Sequence, residues 1–163
     1  MVSRRLIREA GHKRKFLTVI DDTPECERAV AYASRRALNT GGSLVLLFVI
    51  EPQDFQHWLG VEQIMREEAM ETAQSALASM AQKVRDGIGL EPEIVIREGK
   101  RAEEIHSLIE DDQDIAILVL AAGSGKEGPG PLVQTIAGRA AAFPIPVTVV
   151  PFNLSDEEIE SLS

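Results

Sequence analysis

Short apolar runs alternate along this chain with longer stretches in which apolar residues recur every three to four positions. Residues 16–20 (FLTVI) are apolar and β-branched, so they predict a buried strand. Asp21-Asp22-Thr23-Pro24 follows, with Thr23 expected as a helix N-cap and Pro24 at the first helical position, where its missing N–H costs nothing. Cys26, Ala29, Val30, Ala33, Ala37 and Leu38 then mark the apolar stripe of a helix that Gly41-Gly42 stops. Residues 43–50 (SLVLLFVI) predict a strand buried on both faces, as in a parallel sheet covered by helices. A loop carrying Pro52, Phe55 and Trp58 leads to a long amphipathic helix over about 61–86, striped by Val61, Met65, Ala69, Ala73, Ala76, Leu77, Met80 and Val84. The alternation continues with a strand at 93–97, a short helix through Ala102, Ile105, Leu108 and Ile109, and an apolar strand at 115–120. A glycine-rich loop, a helix over 132–142 and a strand at 147–150 between Pro146 and Pro151 complete the pattern.

Strand followed by helix, four times over and closed by a strand, predicts right-handed crossovers and one open five-stranded parallel sheet with helices on both faces. The expected class is therefore a Rossmann-like α/β/α sandwich over residues 16–151, preceded by a basic arm (1–15) and followed by an acidic tail (152–163). The arm is read as mobile, and the tail as a marginal surface helix or a mobile segment. At 163 residues the chain suits one domain. Aromatics make up only 4%, so Val, Ile, Leu, Ala and Met must build the core. A net charge of −9 argues against a general nucleic-acid binder, which needs a basic surface to displace counterions. It leaves a nucleotide open, because a few backbone N–H groups can hold phosphate. No run approaches the roughly 18 apolar residues of a membrane span. One cysteine allows no internal disulfide, and a cytoplasmic location is expected.

In an open parallel sheet, ligands bind beyond the C-terminal strand ends, where neighbouring crossovers diverge. Two loops qualify. The first is Asp21-Asp22-Thr23; the second runs from Gly123 through Ser124, Gly125, Lys126, Gly128 and Gly130 to Pro131. Glycine permits close approach of backbone to a ligand, and Lys126 offers a charge for phosphate. The bland alternative is a rigid connector that binds nothing. The loop is not a Walker A sequence, because Leu120 stands where its first glycine is needed and Glu127 where Ser or Thr is needed. His12, His57 and His106 have no partner at recognisable spacing, and Cys26 falls on an apolar helix face. No catalytic residue and no metal cluster is assigned.

The stretches VIDDTPECERAV, SLVLLFVIEP, ILVLAAGSG and IPVTVVP, in this order and spacing, resemble the universal stress protein family. The resemblance implies the strand order 3-2-1-4-5 and places Val49 over an adenine and Asp21 beside the adenosine. ATP-binding members carry Gly, two residues, Gly, nine residues, then Gly-Ser or Gly-Thr. Gly125, Gly128 and Gly138 meet that spacing, but Arg139 replaces the hydroxyl residue. Counting back from Pro146-Val147 instead puts Val133 and Gln134 at the Gly-Ser position, with Thr135 the nearest hydroxyl. Asp22 stands for a frequent family glycine and adds negative charge beside any triphosphate.

The leading expectation is a cytoplasmic stress-response protein that binds ATP or another adenine nucleotide, with Mg2+ as its companion, as a regulatory ligand. ATP hydrolysis would be weak at most. The alternative is a dimeric interaction module of the same family that binds no nucleotide. An enzyme of the wider adenine-nucleotide α-hydrolase-like group is disfavoured, since its Ser-Gly-Gly-x-Asp-Ser loop is missing. A homodimer through strand 147–150 and unidentified regulatory protein partners are expected; nucleic acid and membrane are not.

Overall fold

The computed structural model describes residues 4–52, 61–125, 128–139 and 142–163. Phe55, His57, Trp58 and Lys126 lie outside the described residues. In chain order the elements are β1 (Lys15–Val19), α1 (Cys26–Asn39), β2 (Ser43–Ile50), α2 (Val61–Ile88), β3 (Glu93–Glu98) and α3 (Arg101–Asp111). They continue with β4 (Ile115–Ala122), α4 (Pro131–Gly138), β5 (Val147–Pro151) and α5 (Asp156–Leu162). The five strands form one parallel sheet in the order β3-β2-β1-β4-β5.

Alternate residues of the central strands feed two cores, as the strand period of two requires. Phe16, Leu44, Leu46, Val119 and Val150 pack with Ala29, Val30, Ala33 and Ala37 of α1 and Leu77, Met80, Ala81 and Val84 of α2. Leu17, Val19, Val45, Leu47, Leu118 and Leu120 pack on the other face with Ile105, Leu108 and Ile109 of α3 and Val133 and Ile136 of α4. Small alanines on α1 let that helix lie close to the sheet, which compensates for the scarcity of aromatics.

Several expectations are corrected. Leu38 is 48% exposed, so the apolar stripe of α1 ends at Ala37. Thr23 does not cap α1: its backbone N–H (2.9 Å) and its hydroxyl (2.5 Å) both donate to Asp21 Oδ1. The Asp21 carboxylate thus builds a local turn that competes with capping. Pro24 and Glu25 form a turn before the helix proper starts at Cys26. Helix α4 stops at Gly138 rather than running to 142.

Both termini are fastened where they are described. The Arg5 guanidinium donates to the carbonyls of Ile109, Asp112 and Ile115, and the Leu6 N–H donates to Gln113. Residues 5 and 6 therefore sit on the end of α3, whose last carbonyls need donors. His12 Nδ1 lies 2.7 Å from Asp114 Oδ1, a partner far away in sequence. Lys15 bonds Asp112 (2.8 Å) and Glu93 (2.9 Å). Burial pulls the Lys15 ammonium down, but these two carboxylates outweigh it and hold its pKa above the usual lysine value. The acidic tail forms α5, which begins with a reciprocal Ser155–Glu158 capping box and sinks Ile159 fully into the protein.

Candidate functional site

The strand order reverses beside β1: the chain passes from β1 outward to β2 and β3, then back across to β4 and β5. Crossovers leave in opposite directions there and open a crevice at the C-terminal strand ends. Two cavities occupy it. A cleft of about 60 Å³ is lined by Val19, Asp21, Thr23, Glu25, Cys26, Arg101, Leu120 and residues 129–133. A roomier cavity of about 270 Å³ is lined by Asp21, Asp22, Phe48, Val49, Ile50, Glu51, Ala69, Thr72 and Arg101. Asp21 and Arg101 border both.

Each side chain arrives for a local reason. Val49 is the next-to-last residue of β2 and is 4% exposed. Asp21 follows the end of β1, held by its turn to Thr23. Arg101 opens α3, just after Gly99 turns the chain out of β3 with φ +152°. The Gly99 N–H donates to Ile50 C=O (2.9 Å), so the β3–α3 turn is tied to the end of β2. A side chain at position 99 would collide with Glu104, whose Cγ lies 2.9 Å from the missing β-carbon.

Arg101 Nη2 stands 3.7 Å from Glu51 Oε1, at the outer limit of an ion pair. Its Nε is buried and makes no hydrogen bond. A buried guanidinium N–H without an acceptor is costly and marks a place where an anionic or carbonyl oxygen is favoured. Cys26 borders the small cleft with its thiol 3.7 Å from the Asp21 carbonyl. Burial raises the thiol pKa, so it stays protonated and inert.

The glycine loop closes on itself. Gly123 N–H donates to Pro129 C=O (3.0 Å) and Gly128 N–H to Gly125 C=O (3.2 Å). Gly130 precedes α4, the Gln134 amide nitrogen lies 3.0 Å from where a Gly128 β-carbon would stand, and Thr135 returns its hydroxyl to Pro131 C=O (2.8 Å). Ser124 and Gly125 are exposed. Asp21, Asp22, Thr23, Val49 and Gly130 are thus brought together around the two cavities, while Ser124, Gly125, Gln134 and Thr135 line neither. Gly138 ends α4, a helix length away from the loop.

Residues 13–151 match the Universal stress protein family. The chain belongs to that family. Universal stress proteins of known structure share its fold. The protein from Lactobacillus plantarum superposes with a TM-score of 0.68 at 18% identity, covering 85% of this chain and 98% of that one. A universal stress protein in complex with cAMP gives 0.60 at 14% identity, covering 86% of this chain and 98% of that one. The Archaeoglobus fulgidus universal stress protein in complex with dAMP gives 0.60 at 16% identity, covering 84% and 97%. No curated protein sequence is a significant match. No helix among the described residues is long and apolar enough to cross a membrane.

Sequence reading missed Glu25, Glu51 and Arg101 at this universal stress protein site. Arg101 had a usable signal: it directly follows the Gly99-Lys100 that ends a strand, where the ligand rule for parallel sheets already points. Glu25 and Glu51 carried none, since acidic residues in turns are common. Among the described residues no group of three or more His, Cys, Asp or Glu could hold a metal ion.

Proposed function

We propose that this universal stress protein is a cytoplasmic regulatory protein that binds an adenine nucleotide, with no catalytic role assigned to any residue. The observation that supports this reading is the about 270 Å³ cavity at the strand ends, where Val49 offers an apolar wall and Asp21 an acceptor. A base stacks against the wall, and the carboxylate takes a ribose hydroxyl or an exocyclic N–H. Arg101 lies beside them with a buried, unpartnered Nε–H to take a phosphate oxygen. Two structural relatives hold cAMP and dAMP, which is consistent with the same class of ligand here.

Isothermal titration with adenosine, AMP and ATP tests the proposal. Saturable heat with at least one is expected, and it should fall in Val49→Asp, which puts a charge against the base. Absence of heat with all three at millimolar concentration overturns the nucleotide reading and leaves an interaction module.

A further inference from the structure

We propose that Glu25 makes the site selective against polyphosphate, so that it takes an adenine nucleoside or its monophosphate and turns away ATP; this rests on the nucleotide reading above. The Glu25 carboxylate lies over Gly123, where a β-carbon would stand 2.9 Å from Oε1 and 3.5 Å from Cδ. It therefore fills the space that the missing side chain leaves at the start of the glycine loop. An anion held by the chain itself already occupies the approach to that loop.

Three further features point the same way. The Gly123 and Gly128 N–H groups donate to Pro129 and Gly125 carbonyls, so neither is free for a phosphate. The cleft on the loop side measures about 60 Å³, against about 270 Å³ on the Val49 side. Room for one nucleoside lies on one side, and room for a few water-sized groups on the other. The charge is also one-sided. Asp21, Asp22, Glu25 and Glu51 line the two cavities, with Arg101 the lone cation among the described lining residues. One guanidinium suits one phosphate. Each additional phosphate adds negative charge beside carboxylates in a partly enclosed site, where like charges repel more strongly than in open water.

Titrations at fixed ionic strength with EDTA present test this. The wild-type chain is expected to bind AMP about tenfold or more tightly than ATP. In Glu25→Gln, which keeps the shape and removes the charge, ATP should approach the affinity of AMP while adenosine is unchanged. Glu25→Gly, which also empties the space over Gly123, should do so to a greater extent. Circular dichroism confirms that each variant is folded. Wild-type binding of ATP as tight as that of AMP overturns the selectivity and leaves the nucleotide reading standing. So does an AMP-to-ATP ratio that neither variant shifts. Absence of heat with adenosine, AMP and ATP alike overturns both.

Discussion

Thr18 is the fourth of the five residues of β1, fully buried, and its hydroxyl has no hydrogen-bond partner. Its strand neighbours are Leu46 and Val119, both part of the core beneath α1 and α2. A buried hydroxyl without a partner carries its desolvation cost with no return. Thr18→Val keeps the branched shape and removes that cost, so the variant should gain about 1 kcal/mol in stability. Thr18→Ser keeps the hydroxyl and loses the methyl, so it should lose about 1 kcal/mol through the small cavity it opens. Midpoints of urea unfolding measure both. A loss of stability in Thr18→Val would mean that the hydroxyl has an acceptor in solution. The same scale explains why Asp21 was legible and Glu25 was not. Asp21 immediately follows the apolar run 16–20, a position that sequence marks. Glu25 matters through Gly123, a residue on a different strand–helix connection.

Helix α5 shows how a weak sequence signal becomes a fixed element. Seven residues are too few to hold a helix in water. The Ser155–Glu158 box satisfies the first free donors, and Asp156, Glu157 and Glu158 favour the positive end of the helix. The decisive contact is Ile159, which is 0% exposed, with α5 docked on α1. Arg28 adds a bond to the Leu154 carbonyl (3.2 Å) and an ion pair to Asp156 (2.8 Å). Ile159→Ala is expected to cost about 2–4 kcal/mol, and Ser155→Ala about 1 kcal/mol, in chemical denaturation. A change below about 0.5 kcal/mol in Ile159→Ala would mean that α5 is detached from α1 in solution.

At the scale of the whole molecule, the open question is the β5 edge. The sheet ends there: β5 pairs with β4 on one side, and the tail turns into α5 without adding a strand. Val149 is 43% exposed and Phe152 38%, so the edge is apolar as well as unpaired. We propose that a second copy pairs its β5 antiparallel to this one, the self-complementary two-fold arrangement. Pro146 and Pro151 would limit the ladder to a few residues, because neither can donate. Light scattering at micromolar concentration should give a dimer, and Thr148→Pro should dissociate it with circular dichroism unchanged. A monomeric wild type sinks the proposal, and a dimer that survives Thr148→Pro must use another surface.

The sequence by itself determined the five strands, the four helices between them and their order. Short, β-branched apolar runs such as LVLLFVI, bounded by turn residues, read as strands covered on both faces, and their alternation with amphipathic helices leaves one economical topology. It also placed Asp21 and Val49 at strand ends, because that position is a local property of the chain. Tertiary structure decided the rest. It fastened the described parts of the arm and the tail, since Arg5 reaches the Ile109 carbonyl, and Arg28 and Arg36 reach those of Leu154 and Ser163, more than a hundred residues away. It also decided the character of the site. Glu25, Glu51 and Gly123 belong to three different connections between elements and Arg101 opens α3, and no spacing along the chain relates them. Only the folding of a parallel sheet, which gathers all C-terminal strand ends on one side, sets their charges against one another.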